Sequence, residues 1–347
     1  MEIRVYSPTL SFIGSIEDHT SLIWLRRYYA PGEFEIHVPI TKKNLEYLQP
    51  GNIITKRGSA EAGVIESARN TETSKQNDAI RSGRFLSSYF SRRLIKQTTN
   101  FRGTPEKVMH DMINNATTIP LVECGHLKGI GGNVAFQATM KNLQTYLTKV
   151  ARGAELGYRL RPDFRGKKLI FEVYQGVDRT LSGGVNGRVV FSEKYENANN
   201  AEYRYDDQLQ KTMVYVGGEG EGANRIYETV GSGVGLGLRE AFVDAKDIAS
   251  EGLTGAEYRA ALRQRGIMYM QENGIIESFE PNIDANRSFV YKEHYDLGDV
   301  VVTHKESWGF FSQKRITQIE EVYESGAYFV IPTFGDALPE TIDWEDK

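Results

Sequence analysis

The chain has 347 residues, 40% apolar, 11% aromatic and 25% charged, the make-up of a globular protein long enough for two or three separately cored domains. Its 42 basic and 46 acidic residues give a net charge of -4, which argues against tight nucleic-acid binding through a broad basic surface. A lone cysteine, Cys124, excludes an intramolecular disulfide, and no stretch approaches the roughly 18 apolar residues of a membrane span.

Residues 2–6, 10–16, 33–39, 52–56, 64–68 and 79–85 read as short strands separated by turns, which predicts a small barrel or sandwich over 1–97. The opening MEIRVYSPTLSFIGSIED has no basic region followed by an apolar run, so no export signal is expected, and with a single cysteine assembly in a reducing cytoplasm is the expectation. The clearest pattern is SLIWLRRYYAPGEFEIHVP at 21–39. There Phe34, Ile36 and Val38 alternate with Glu33, Glu35 and His37 up to Pro39, a half-buried strand entered through the turn Pro31-Gly32. Trp24, Arg26, Arg27, Tyr28 and Tyr29 precede that turn, and guanidinium groups beside aromatic faces are common where subunits pack. An ordinary hairpin accounts for the same residues.

Over 98–187 the period changes to that of an α/β unit. Thr104-Pro105 is an N-cap followed by proline at the first helical position, with Val108, Met109, Met112 and Ile113 as the apolar stripe behind it. A second helix is expected after Thr139, with Leu143, Tyr146, Leu147 and Val150 at helical spacing and a stop near Gly153. Strands at 156–161 and 168–174 then flank the turn-forming run Pro162-Asp163-Phe164-Arg165-Gly166.

From 188 onward strands are expected at 188–192, 201–205 and 212–216, then a mobile glycine-rich loop over 217–237. Thr254 with Glu257 three residues on is a capping box opening a third helix, whose Tyr258, Leu262, Tyr269 and Met270 lead to a stop at Gly274. Strands at 275–280, 289–292, 299–303, 313–322 and 328–331 complete the chain.

The sequence also contains an internal echo. Gly51-Asn52-Ile53-Ile54-Thr55-Lys56 and Gly298-Asp299-Val300-Val301-Val302-Thr303 share a glycine, a short polar residue and a β-branched run, followed by the Ile-Glu steps Ile65-Glu66 and Ile319-Glu320. Both duplication and coincidence remain open, because a glycine before a strand also marks an ordinary turn.

The parts of an active site are sparse. The sequence has no G-x-S-x-G elbow, no H-E-x-x-H zinc helix and no paired C-x-x-C motif. Gly166-Lys167 resembles the end of a phosphate loop, but Arg161 stands where that motif needs glycine. Cys124 and His126 offer only two metal ligands, and the other histidines are scattered. Asp178-Arg179 and the acidic residues of 296–299 read as turn caps and ion pairs rather than catalytic carboxylates. No cofactor, metal site or catalytic residue is therefore expected.

Eight stretches in order carry a resemblance: PGNIITK at 50–56, GVIES at 63–67, SRRLI at 91–95, VYQGVDRT at 173–180, VVFSEKYENANNAEY at 189–203, LRQRG at 262–266, YDLGDVVV at 295–302 and KRITQIEEV at 314–322. With 21–39, this set resembles the siphovirus and prophage tail-protein family that forms the hub at the tail tip, related to the amino-terminal part of tail-associated lysins and more remotely to the myovirus baseplate hub. The resemblance implies a mainly β chain with an α+β insert. A first barrel-like, tube-like domain would cover 1–97, an α/β domain 98–187, and a second barrel-like domain 188–347, with a helical insert at about 240–274.

It also implies a non-enzymatic homotrimer in the virion, assembled in the bacterial host cytoplasm, that continues and closes the tail tube. One end would face a distal tail protein, the channel would hold the end of the tape-measure protein, and genomic DNA would pass without specific binding. Trp24, Arg26, Arg27, Tyr28 and Phe34 are the candidate subunit-interface residues, with packing inside one barrel as their other role. The rival readings are a tail-associated cell-wall hydrolase and a receptor or glycan-binding module.

Overall fold

Alternation of apolar side chains sets the first strands. In the computed structural model, which describes residues 1–72, 77–116, 119–195, 199–282, 289–324 and 326–335, β1 (Ile3–Tyr6) and β2 (Phe12–Ile16) form an antiparallel hairpin. Strands β3 (Ser21–Arg27) and β4 (Glu33–Pro39) each bury every second residue. A short helix, α1 (Lys42–Tyr47), is capped by Thr41, whose hydroxyl accepts the Asn44 N–H; it has no apolar stripe, and periodicity does not predict it. Next come β5 (Ile53–Lys56), β6 (Gly63–Val64), β7 (Ser67–Glu72) and β8 (Asn77–Arg84).

The α/β stretch holds β9 (Leu94–Ile95), β10 (Thr99–Gly103), α2 (Pro105–Ala116), β11 (Val122–Cys124), β12 (Val134–Ala138), β13 (Lys141–Asn142), α3 (Leu143–Gly153), β14 (Gly157–Asp163) and β15 (Lys168–Tyr174). Helix α2 starts where the cap predicts, with the Thr104 hydroxyl accepting the Lys107 N–H at 3.3 Å. Helix α3 starts later than the Thr139 signal. Lys141 and Asn142 are spent on a ladder with β9, and the Asn142 side chain then caps the helix through the Thr145 N–H.

The remaining elements are β16 (Val190–Ser192), β17 (Asn199–Asp206), β18 (Met213–Gly217), β19 (Tyr227–Gly231), β20 (Glu240–Asp244), α4 (Gly255–Glu272), β21 (Ile276–Asn282), β22 (Val300–Lys305), β23 (Phe310–Glu324) and β24 (Ala327–Gly335). Residues 196–198 of the VVFSEKYENANNAEY stretch and 336–347 of the last expected domain lie outside the described residues. Strand β19 corrects the expected loop over 217–237, because Tyr227–Gly231 pairs in register with β18. Helix α4 has both halves of its capping box: Glu257 N–H donates to the Thr254 hydroxyl, and Thr254 N–H donates to the Glu257 carboxylate at 2.8 Å.

These elements form two compact units that interleave along the chain. The first comprises Met1–His19, Tyr29–Gln175 and Gln208–Gly274; the second comprises Thr20–Tyr28, Gly176–Asp207 and the chain from Ile275. In the first unit the strand orders are β2-β1-β5-β6, β4-β8-β7, β10-β12, β13-β9, β11-β15-β14 and β19-β18-β20. In the second the order is β17-β21-β24-β23-β3, with β22 also on β23 and β16 on β22. The mainly β make-up is as expected, and among the described strands no closed barrel is found.

The main core of the first unit gathers Val108, Met109 and Met112 of α2, Leu143, Leu147 and Val150 of α3, and Tyr158, Leu160 and Phe171 of the β14–β15 hairpin. A separate core joins Val214 and Val216 of β18 to Tyr258 and Leu262 of α4. Gly266 permits that contact: a Cβ there would lie 2.8 Å from the Cγ2 atoms of Val216 and Val230.

Candidate assembly surface

Strand β3 sorts the candidate interface residues by face. Trp24 and Arg26 point to the buried side of the sheet, and Tyr28 follows with its ring also buried, while Arg27 points to the opposite, half-buried face. Phe34, in the first unit, is 2% exposed and lies over Gly63, where a Cβ would come within 2.3 Å of its ring. Four of the five side chains are thus packed inside the chain.

The buried side of β3 is built around fixed charge. Arg26 Nη1 donates to Asp296 Oδ1 at 2.6 Å and to the Tyr291 hydroxyl at 2.7 Å. Glu321, on β23 opposite Trp24, is 1% exposed and accepts from the hydroxyls of Tyr291, Tyr323 and Tyr328 at 3.4, 3.1 and 3.0 Å. A buried carboxylate needs such partners, and burial in turn pushes the Tyr291 hydroxyl well above its ordinary range. Asp299 accepts from Arg179 Nε at 2.5 Å and from the N–H groups of Val177 and Asp296. Asp178 accepts the Thr180 N–H at 2.9 Å, so these acidic residues act as turn caps and ion pairs.

The internal echo has a matching hydrogen-bond geometry in each unit. Gly51 and Gly298 both sit in the left-handed region, at φ 89° and 94°. Gly51 N–H donates to Ile65 O at 2.8 Å and Ile65 N–H returns to Asn52 O at 2.9 Å; Gly298 N–H donates to Ile316 O at 2.9 Å and Ile316 N–H returns to Asp299 O at 2.8 Å.

The correspondence continues along the strands. Ile53 faces Val64 as Val300 faces Arg315, Ser67 faces Ser82 as Gln318 faces Thr333, and Phe34 faces Gly83 as Phe279 faces Phe334. Even the bulge recurs. Between the Gly63–Phe85 bridge and the Ser67–Ser82 pair one strand has an extra residue, as it does between Ile316 and Gln318. Strands β5, β6 with β7, β8 and β4 therefore repeat β22, β23, β24 and β21. The register matches Ile65 to Ile316, which corrects the sequence pairing of Ile65-Glu66 with Ile319-Glu320 by three residues. The repeat ends at the next strand: β5 has antiparallel β1 beside it, β22 has parallel β16.

Two edges of this repeat are open among the described strands. In the second unit β3 covers the far side of β23, whereas β7, the counterpart of β23, ends its strand order with a largely exposed SARNTE. At the other end β17 pairs only with β21 and leaves Tyr203 and Tyr205 39% and 53% exposed. The alternation rules miss β7 because it is polar on both faces. The signal available in the sequence is β8, an amphipathic strand that needs a partner after the polar run before it.

Among the described residues no three His, Cys, Asp or Glu side chains gather as a metal site. Cys124 donates to Asn114 Oδ1 at 3.4 Å, and burial pushes its thiol up to about 11, away from the thiolate form at neutral pH. A cavity of about 240 Å³ between α3 and α4 is lined by Val134, Lys149, Gly153, Met268 and Gln271 among others, with no nucleophile and base side by side.

Residues 2–336 match the family described as Siphovirus ReqiPepy6 Gp37-like protein. None of the curated proteins matches. Among solved structures, the chain is similar to the 43 kDa tail protein of prophage MuSo2 from Shewanella oneidensis, with a TM-score of 0.63, 12% identity and coverage of 96% of this chain and 98% of that one. It is similar to the tail protein from Neisseria meningitidis MC58, with a TM-score of 0.61, 12% identity and 96% of each chain covered. The prophage tail protein gp18 from Listeria monocytogenes EGD-e gives a TM-score of 0.57 at 14% identity, over 97% of this chain and 95% of that one.

Proposed function

Because the chain belongs to the siphovirus Gp37-like family of tail proteins, we propose that it is the hub at the tail tip, a homotrimeric ring that continues and closes the tail tube and opens for genome passage. The observation that carries this reading is the pair of open edges on a repeated sheet. Within one chain β3 lies on β23, whose counterpart β7 ends its strand order among the described strands, as does β17 beside β21. Laying β17 of one copy on β7 of the next repeats the contact already made by β3 and β23. Such a head-to-tail contact closes into a ring when the rotation between copies divides a full turn, and three copies then carry six similar modules, which suits a threefold plug on a sixfold tube.

In this reading 1–97 and 188–347 supply the two tube-like modules and 98–187 the α/β domain between them. Arg27 contributes to the subunit face directly, and Trp24, Arg26, Tyr28 and Phe34 do so by fixing the strands that form it. The net charge of -4 suits a lumen that DNA passes without sticking. The hub faces a distal tail protein at one end, holds the end of the tape-measure protein, is assembled in the host cytoplasm and has no enzymatic activity. Native mass measurement with negative-stain imaging tests the ring: a trimer with a central hole is expected. Particles of another stoichiometry, or trimers without a hole, overturn it.

A further inference from the structure

The open edge at β7 has a covered counterpart inside the same chain. Ser67 holds the place of Gln318 in the repeat, so Ala68 and Asn70 hold the places of Ile319 and Glu321. In the second unit Ile319 and Glu321 face Arg26 and Trp24 of β3, and both are buried. Ala68 and Asn70 are exposed, with no strand beyond them among the described residues. Behind them Arg81 faces Ala68 across the β7–β8 ladder and is 3% exposed. Its side chain leans toward the edge: Nη1 donates to Asn70 Oδ1 at 2.9 Å, Ile80 O at 2.9 Å and Arg69 O at 3.2 Å, and Nε donates to Leu48 O at 2.8 Å. Each of these acceptors is neutral, so the guanidinium is a buried cation with no carboxylate on it among the described residues.

The open edge at β17 carries the complement. Tyr203 faces Phe279 and Phe279 faces Phe334, and residues opposed in a ladder share a face of the sheet. That row repeats Phe34 with Gly83, and two residues along β4 the same face holds Ile36 with Arg81. Tyr203 and Tyr205 therefore lie on the face of β17 that corresponds to the Arg81 face of the first unit, and Glu202, Arg204 and Asp206 lie on the other. We propose that in the ring Tyr203 and Tyr205 of one copy seat on Ala68 and Asn70 of the next, with a ring turned to the Arg81 guanidinium. This rests on the hub reading above and adds which side of β17 meets the neighbour. In the covered repeat the cross-strand row runs Arg26, Ile319, Pro332; in the open one Ala68 and Arg81 stand in the places of Ile319 and Pro332. The cation is thus on the inner strand instead of the incoming one, and the small Ala68 between them leaves room for a ring, whose negative face attracts the guanidinium without adding charge. A second copy is the occupant because the chain already covers the equivalent edge with a strand of its own and presents exposed rings on its other open edge.

The test is disulfide mapping of assembled rings of the full chain in a Cys124→Ser background, read by non-reducing electrophoresis. Ala68→Cys combined with Tyr203→Cys or with Tyr205→Cys is expected to link copies covalently in at least one of the two pairs. Ala68→Cys combined with Glu202→Cys or with Arg204→Cys is expected to give about tenfold less product, because side chains on opposite faces point apart and a disulfide cannot span them. Tyr205→Ala is expected to raise the concentration for half-assembly about tenfold and to leave the melting temperature of the unassembled chain unchanged, since its side chain is 53% exposed. If the parent chain forms no ring, the hub reading falls and this inference with it. Rings that form normally but link through Glu202→Cys or Arg204→Cys, link through neither face, or assemble undiminished in Tyr205→Ala overturn this inference alone.

Discussion

At Trp24 the side chain is fully buried, and removing the indole leaves a cavity that the charged network across from it cannot fill. Trp24→Ala is therefore expected to cost about 3–5 kcal/mol in urea denaturation of the isolated chain. Arg27→Glu, on the half-buried face, is expected to cost far less stability and to lower the trimer fraction instead, as read by native mass measurement. The two repeat glycines differ in a testable way. Gly51→Ala meets only Pro8 Cγ at 3.9 Å and so suffers backbone strain alone, whereas Gly298→Ala adds a clash with the Tyr28 ring at 2.2 Å. The second variant should melt at a clearly lower temperature than the first. Cys124 supplies a pH prediction. Its folded thiol is raised to about 11 from an ordinary value near 9.0, so its contribution to stability is intact below pH about 9 and is lost as pH rises through about 11. Alkylation of the folded chain at pH 8 should be much slower than that of the urea-unfolded chain.

Elements differ in how plainly the sequence announces them, and the reason is chemical. Helix α4 was legible to the residue because its capping box is a local hydrogen-bond exchange between Thr254 and Glu257. Strand β4 was legible because one face is buried and the other is not. Strand β19 was hidden in a glycine-rich run, since pairing with β18 supplies what its composition lacks. Strand β7 was hidden for a different reason: a polar edge strand has no apolar face to mark it, and polarity is what keeps an open edge from aggregating. Its proposed role gives a direct test. Proline at Ala68 removes a backbone donor from the edge. Ala68→Pro is expected to leave a folded chain by circular dichroism that no longer assembles into rings. Rings with normal stoichiometry in that variant would remove β7 from the subunit contact.

For the whole molecule the decisive property is the repeated sheet in which, among the described strands, β3 covers β23 while the corresponding edge at β7 is open. In the proposed reading a ring of copies covers that open edge. The same reading expects no catalysis, and a cell-wall zymogram of the purified protein should show no clearing zone; a clearing zone would favour the hydrolase reading.

Strand content, the caps of α2 and α4, the missing catalytic motifs and the family were determined by the sequence itself, because each rests on neighbours in the chain or on residue types in order. Which residues face inward at β3, the three-residue correction that aligns Ile65 with Ile316, and the covered and open edges were decided only by the tertiary structure. The covered edge depends on hydrogen bonds between β3 and β23, hundreds of residues apart, and the alignment on ladder register and a bulge, and a linear pattern carries no record of which backbone completes a ladder.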